Sequence, residues 1–323
     1  MQAEGQQANC PRPGAHAKRA AVRILFISST RIGDAVLSTA LLDHLLRVHP
    51  EARFTIACGA VAEGVFARMP RRDRTITLVK RPYGRHWLGL WRQVALTWWD
   101  VVVDLRASAL AFLVPTGRRF IARGGRHPGH RLGHLAALLR IDPPPRPVAW
   151  FAEEDVARAA ALVPPGLPFI VLGPSANWDE KVWPAARFVA LFRALTGPGG
   201  AMAGARCVVL AGPGAQERAL AAPVLEGVPG AIDGVGALSL PECAALLSRA
   251  ALFVGNDSGL MHLAAAAGAP TIGLFGPTPA SEYAPVGPRA TAVLADGPPG
   301  RAPMDVLPVD KVEAAIARLL VPA

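Results

Sequence analysis

Short apolar runs recur along this chain. Each is followed by a polar turn and then by a longer stretch with helical spacing. The first run, Arg23-Ile24-Leu25-Phe26-Ile27-Ser28, leads through such a turn into an apolar helix over 35–48. Residues 54–58, 76–80, 101–105 and 120–123 read as further strands, with a helix over 86–98 among the intervening stretches. The runs are continuously apolar instead of alternating, as expected of strands buried on both faces, so they predict a parallel sheet covered by helices on both sides. The segment Ile141-Asp142-Pro143-Pro144-Pro145-Arg146-Pro147 suits neither a helix nor a central strand. The alternation then restarts, with strands over 169–172, 207–211, 251–254 and 271–275 and a helix over 184–195 that takes Pro184 into its first turn. Ser239-Leu240-Pro241-Glu242 has the spacing of a capping box.

This organisation predicts an α/β chain with a disordered leader over 1–21, a Rossmann-like domain over 22–142, a proline-rich linker over 143–150 and a second doubly wound domain over 151–323. Ligands of such sheets lie beyond the C-terminal ends of the strands, which places the site in a cleft between the two domains.

Composition supports a large core. Hydrophobic residues make up 51% of the 323 positions and charged residues 18%. No apolar run reaches the ~18–20 residues needed to span a bilayer, and the N-terminal stretch lacks the apolar core of a signal peptide. Cys10, Cys58, Cys207 and Cys243 are far apart, without CxxC or metal-ligand spacing, and fit a reducing cytoplasm. Residues 1–142 carry 22 Lys and Arg against 9 Asp and Glu, and the remainder 12 against 15. Two readings stand open: an anionic partner for the first half, or the bias of a chain with 30 Arg and 4 Lys. No basic run is interleaved with aromatics as a nucleic-acid stacking surface would be.

Four turns carry candidate chemistry. Ser28-Ser29-Thr30-Arg31-Ile32-Gly33-Asp34 lacks the GxGxxG fingerprint of a dinucleotide site. Gly33 permits a close approach, and Asp34 either caps the following helix or serves as a general base at the cleft. Gly173 to Pro184 is a loop in which Ser175 and Asn177 can donate to phosphate oxygens and Lys181 supplies a point charge; a solvated lysine is the plainer alternative. Gly212 and Gly214 open the backbone beside Glu217, which either accepts from ribose hydroxyls or caps its own helix. Val254-Gly255-Asn256-Asp257-Ser258-Gly259-Leu260-Met261-His262 turns from a strand into a helix start, where free N–H groups and the helix dipole suit a diphosphate. Asp257 there favours fixing the loop or binding sugar hydroxyls over touching the anion, and His262 either reaches a phosphate or packs. There is no DxD or HExxH motif, no GxSxG, no kinase set and no P-loop.

With these motifs in order, the chain resembles glycosyltransferase family 9, the ADP-heptose:lipopolysaccharide heptosyltransferases. The carriers are Arg31-Ile32-Gly33-Asp34, Gly173-Pro174-Ser175-Ala176-Asn177 with Lys181-Val182-Trp183-Pro184, Gly212-Pro213-Gly214 with Glu217-Arg218, the 254–262 turn, and Pro270 to Thr278. They extend over most of 22–320 and depart from the usual pattern at Asp179, Glu180 and Val182.

The resemblance implies a GT-B fold with an acceptor-binding N-terminal domain and a nucleotide-sugar-binding C-terminal domain, and a metal-independent inverting transfer without a cofactor. It casts Asp34 as the base. Lys181 and the Ser258 and Gly259 N–H groups hold the leaving diphosphate. Ser175, Asn177, Gly212, Glu217, Asp257 and His262 complete the donor site, while Arg31, Gly33 and Arg126 face the acceptor. It further implies a lipid A–core acceptor and peripheral attachment to the anionic cytoplasmic face of the inner membrane. The alternatives are a non-catalytic nucleotide-sugar or lipopolysaccharide-binding protein of the same fold, a transferase of a different sugar, and a GT-B epimerase.

Overall fold

The computed structural model describes residues 21–122 and 128–321. The expected leader, apart from its last residue, and the acceptor candidate Arg126 lie outside the described residues.

The first half runs β1 (Arg23–Ile27), α1 (Ile32–Val48), β2 (Arg53–Gly59), β3 (Arg72–Leu78), α2 (Arg85–Val94), β4 (Trp99–Asp104), β5 (Thr116–Ile121) and α3 (Arg131–Leu138). After an irregular stretch the second half runs α4 (Glu153–Leu162), β6 (Phe169–Gly173), α5 (Ala185–Thr196), β7 (Arg206–Val209), α6 (Ala215–Gly227), β8 (Ile232–Asp233), α7 (Leu240–Leu247), β9 (Leu252–Asn256), α8 (Gly259–Ala266), β10 (Thr271–Phe275), α9 (Ala280–Tyr283), β11 (Ala290–Leu294) and α10 (Val309–Leu320). The strands form two wholly parallel sheets, ordered β3-β2-β1-β4-β5 and β11-β10-β9-β6-β7-β8. The order reverses beside β1 in the first sheet and beside β6 in the second, which leaves a crevice at the C-terminal ends of β1/β4 and of β6/β9.

Several elements depart from the sequence reading, each for a local reason. The first helix begins at Ile32, because Arg31 is extended (φ −102°, ψ 142°) and ends the turn there, which places Asp34 in the first helical turn. α2 stops at Val94, where the indole N–H of Trp99 donates to the Val94 carbonyl at 3.0 Å and draws the chain into β4. β5 starts at Thr116, earlier than its apolar residues suggest, since an edge strand keeps Arg118 and Arg119 in solvent. β8 and β11, also at sheet edges, are not among the strands the pattern predicts; β8 is only two residues long, and β11 is only partly buried along most of its length. Pro184 precedes α5 instead of occupying its first turn. At α7, the Ser239 N–H donates to the Glu242 carboxylate at 2.7 Å, the half of the capping box that fixes the helix start.

The two halves share one continuous apolar cluster, in which Leu37, Leu41 and Leu45 of α1 pack with Leu246, Met261 and Leu263. On one side of the seam, Arg68 grips Asp155 with Nε and Nη2 at 2.8 and 3.0 Å. Burial alone would raise the Asp155 carboxyl, but hydrogen bonds from Arg68 and from the Ala152 N–H hold it below its ordinary value. At the crevice itself α1 and α8 pack against each other with their N-terminal turns side by side. A Cβ on Gly33 would stand 2.9 Å from His262 Cδ2, and one on Gly259 would stand 2.8 Å from Ile32 Cβ. Only glycine lets the two helix starts approach so closely. Gly259→Ala is therefore expected to destabilise the fold by ~1–3 kcal/mol, the usual cost of overpacking, read as a lower midpoint in urea unfolding; an unchanged midpoint would mean that the seam is loose.

Candidate active site at the seam

The seam is built from two helix N-termini that receive no side-chain cap. Ser258, extended at φ −148°, precedes α8 without capping it, and Arg31 precedes α1 in the same way. The first N–H groups of each helix are thus open, and both positive dipole ends point into one crevice.

Asp34 stands at this point. Its side chain is 25% exposed, Arg131 Nε lies 4.0 Å from Oδ1, and the Ser29 hydroxyl donates to Oδ2 at 3.4 Å. The carboxylate lines a pocket of about 210 Å³ together with Ser29, Leu105, Arg106, Arg131 and Leu135. The Arg106 guanidinium donates to Thr30 Oγ1 at 3.1 Å. The loop carrying it is fixed from below, where buried Asp104 accepts from the N–H groups of Arg106 and Ser108 at 2.8 and 2.9 Å. A small polar pocket with one carboxylate and two guanidinium groups can admit a hydroxyl-bearing, anionic molecule and take a proton from it.

Across the crevice, Asp257 Oδ2 accepts from Lys181 Nζ at 2.6 Å and from Thr278 Oγ1 at 2.9 Å. Both charged side chains are largely buried, 12% exposed for Lys181 and 7% for Asp257, and the ammonium also lies 4.9 Å from the centre of the Trp178 ring. The loop from 174 to 183 is shaped by Asn256, whose buried amide accepts from the Trp183 N–H at 3.0 Å and donates to the Pro174 carbonyl at 2.8 Å. Ser175 is buried in that loop, and Asn177 is exposed.

His262 lies within α8, buried under Gly33. Its Nδ1 is buried without a hydrogen-bond partner. Burial lowers its pKa; the charges of Asp257 and Asp34 oppose that shift, while His130 and Lys181 add to it. His130 caps α3, accepting from the Leu132 N–H through Nδ1 at 3.1 Å, which leaves Nε2 to donate to the Ala284 carbonyl at 3.0 Å.

The seam brings together Arg31, Gly33, Asp34, Lys181, Asp257, Ser258, Gly259 and His262. Gly212 and Glu217 form a separate turn at the end of β7, where the Gly212 N–H donates to Glu217 Oε2 at 3.0 Å. Sequence reasoning singles out neither Arg106 nor Thr278 as a site residue. Both follow the C-terminal ends of strands, β4 and β10, and the same rule that marks Asp34 would have marked them.

The sequence model of glycosyltransferase family 9 (heptosyltransferase) matches residues 129–302, more than half of the chain. The chain belongs to glycosyltransferase family 9. It is thus an enzyme of the glycosyltransferase class. It is 28% identical over 294 residues to lipopolysaccharide heptosyltransferase 1 of Pseudomonas aeruginosa, covering 80% of this chain and 79% of that protein. Its fold is similar to the crystal structure of a family 9 glycosyl transferase from Veillonella parvula, with a TM-score of 0.77 at 21% identity over 94% of this chain and 98% of that one. It is also similar to the structure of E. coli ADP-heptose LPS heptosyltransferase II, with a TM-score of 0.73 at 19% identity over 93% and 99%. The two parallel sheets facing one crevice are the GT-B fold of these enzymes.

The buried histidine makes a pH prediction. His262 titrates below its ordinary value of 6.5, so the unfolded chain binds the extra proton first as the pH falls. Stability from the neutral imidazole is present above about pH 6.5 and is lost below it. Thermal unfolding followed from pH 7.5 to 5 is expected to show a falling midpoint, and His262→Gln should flatten that slope by about one proton. An unchanged slope would assign the acid sensitivity to other groups.

Proposed function

We propose that the enzyme transfers a heptose from ADP-heptose to a lipopolysaccharide core acceptor, with inversion at the anomeric carbon and without a divalent metal, at the cytoplasmic face of the inner membrane. The observation that carries this reading is the convergence at one seam of a carboxylate, a lysine and two uncapped helix N-termini. The names of the relatives supply the sugar and the acceptor class.

In this mechanism the acceptor hydroxyl enters the pocket beside Asp34, with Ser29, Arg106 and Arg131 around it and Arg31 and Gly33 in the turn next to Asp34. Asp34 takes the hydroxyl proton as the oxygen attacks the anomeric carbon from the side opposite the diphosphate. The bond from that carbon to the diphosphate oxygen breaks, and the electron pair leaves with the ADP. Lys181, with one of its three N–H bonds directed at Asp257, keeps two for the departing phosphates. The Ser258 and Gly259 N–H groups and the α8 dipole stabilise the same charge. Asp257 thus acts by orienting Lys181 and neutralising it before the donor binds. Ser175 and Asn177 bind phosphate oxygens, His262 stays packed beneath Gly33 and backs the donor site, and Gly212 and Glu217 receive the nucleotide ribose. The metal-free reading is supported by this cationic and N–H lining.

Asp34→Asn keeps the shape of the site and removes the base. It is expected to lower kcat by ~10²–10⁴ while ADP binding, followed calorimetrically, stays the same. Full activity in this variant would sink the base assignment, and a wild-type chain that binds ADP-heptose without turnover in the presence of acceptor would favour the non-catalytic binding protein. Lys181→Met should cost ~10²–10³ in kcat. Excess chelator should leave the wild-type rate unchanged; a loss restored by one divalent ion would overturn the metal-free reading. NMR of the product gives the anomeric configuration and tests the inversion directly.

A further inference from the structure

The turn after β10, Phe275-Gly276-Pro277-Thr278, is held from behind. A Cβ on Gly276 would stand 2.6 Å from the Ala302 carbonyl oxygen and 2.7 Å from Met304 Sδ, and both of those residues are buried. The strand before the turn is tied to the end of β9, where the Asp257 N–H donates to the Leu274 carbonyl at 3.2 Å. Thr278 stands half-buried on this packed turn. Its hydroxyl donates to Asp257 Oδ2 at 2.9 Å, and the same oxygen accepts from Lys181 Nζ at 2.6 Å. One carboxylate oxygen thus joins the loops that follow β6 and β10.

The two donors differ in freedom. Lys181 has a flexible four-carbon stem and three N–H bonds, so its ammonium can follow a departing phosphate. Thr278 has one O–H on a short, β-branched side chain and no such reach. When the lysine turns toward the phosphates, Asp257, only 7% exposed, loses its cation in a nearly dry site. That is costly unless a hydrogen bond remains. The threonine hydroxyl is the donor that stays.

We infer that Thr278 is a positioning residue for the transfer step. It holds the Asp257 carboxylate in place, and with it the position from which Lys181 meets the departing diphosphate. This role rests on the mechanism proposed above, in which Lys181 stabilises that charge. A threonine that merely satisfied a buried carboxylate would matter to stability and not to the step that Lys181 serves.

Thr278→Val removes the hydroxyl and keeps the shape of the side chain. It is expected to lower kcat by about tenfold to a hundredfold, with the donor KM within about twofold of the wild type, and Thr278→Ser should restore most of the rate. Because the effect passes through the lysine, adding Thr278→Val to Lys181→Met should lower kcat no further. Circular dichroism checks that each variant is folded, and Thr278→Ala supplies the same comparison if the valine variant is not. Wild-type kcat without the hydroxyl, failure of serine to rescue, or an equal loss in both lysine backgrounds would overturn the inference while a slow Lys181→Met left the transfer mechanism standing. Lys181→Met at the wild-type rate would overturn the role of the lysine and this inference with it.

Discussion

Two helix N-termini directed at one point repel each other, because each carries about half a positive charge on N–H groups without partners. In this enzyme α1 and α8 meet in that way, with Gly33 and Gly259 letting them come into contact. The arrangement holds because carboxylates stand at the same point, Asp34 in the first turn of α1 and Asp257 just before α8. Asp257 is in turn matched by Lys181. What remains is a crevice with open N–H donors, a buried ammonium and the partly exposed carboxylate of Asp34. That balance suits a reaction in which an anion leaves on one side while a proton is taken on the other.

The rest of the scaffold keeps this seam in place. Parallel strands bring every turn of each sheet to the same end, so Asp34 after β1, Arg106 after β4, Asp257 after β9 and Thr278 after β10 face one space although up to 244 positions separate them in the chain. Asn256 fastens the 174–183 loop to β9 through Trp183 and Pro174, and so sets where Lys181 can reach. Away from the crevice, the Arg68–Asp155 pair and the shared apolar cluster hold the halves together. The thiols have no part in this. Burial pushes Cys58, Cys207 and Cys243 up to about 12, far from the thiolate form. At the seam, buried charges are paired or aimed at a ligand.

Much of the fold was legible in the chain because its signals are local. Continuous apolar runs marked the central strands, and the 271–275 strand lies where the pattern put it. The edge strands β3 and β5 were shifted and β8 was missed, because one open side removes the demand for apolar residues that pattern reading relies on, and β11 was missed although its residues are mostly apolar. At the site, the strand–turn–helix grammar was enough to pick out Asp34, Lys181 and the 257–259 turn. It could not give the Lys181–Asp257 bond, the packing of His262 under Gly33, or the two arginines beside Asp34. Those contacts join residues from separate turns, and only the stacking of the two sheets against each other determines which of them meet.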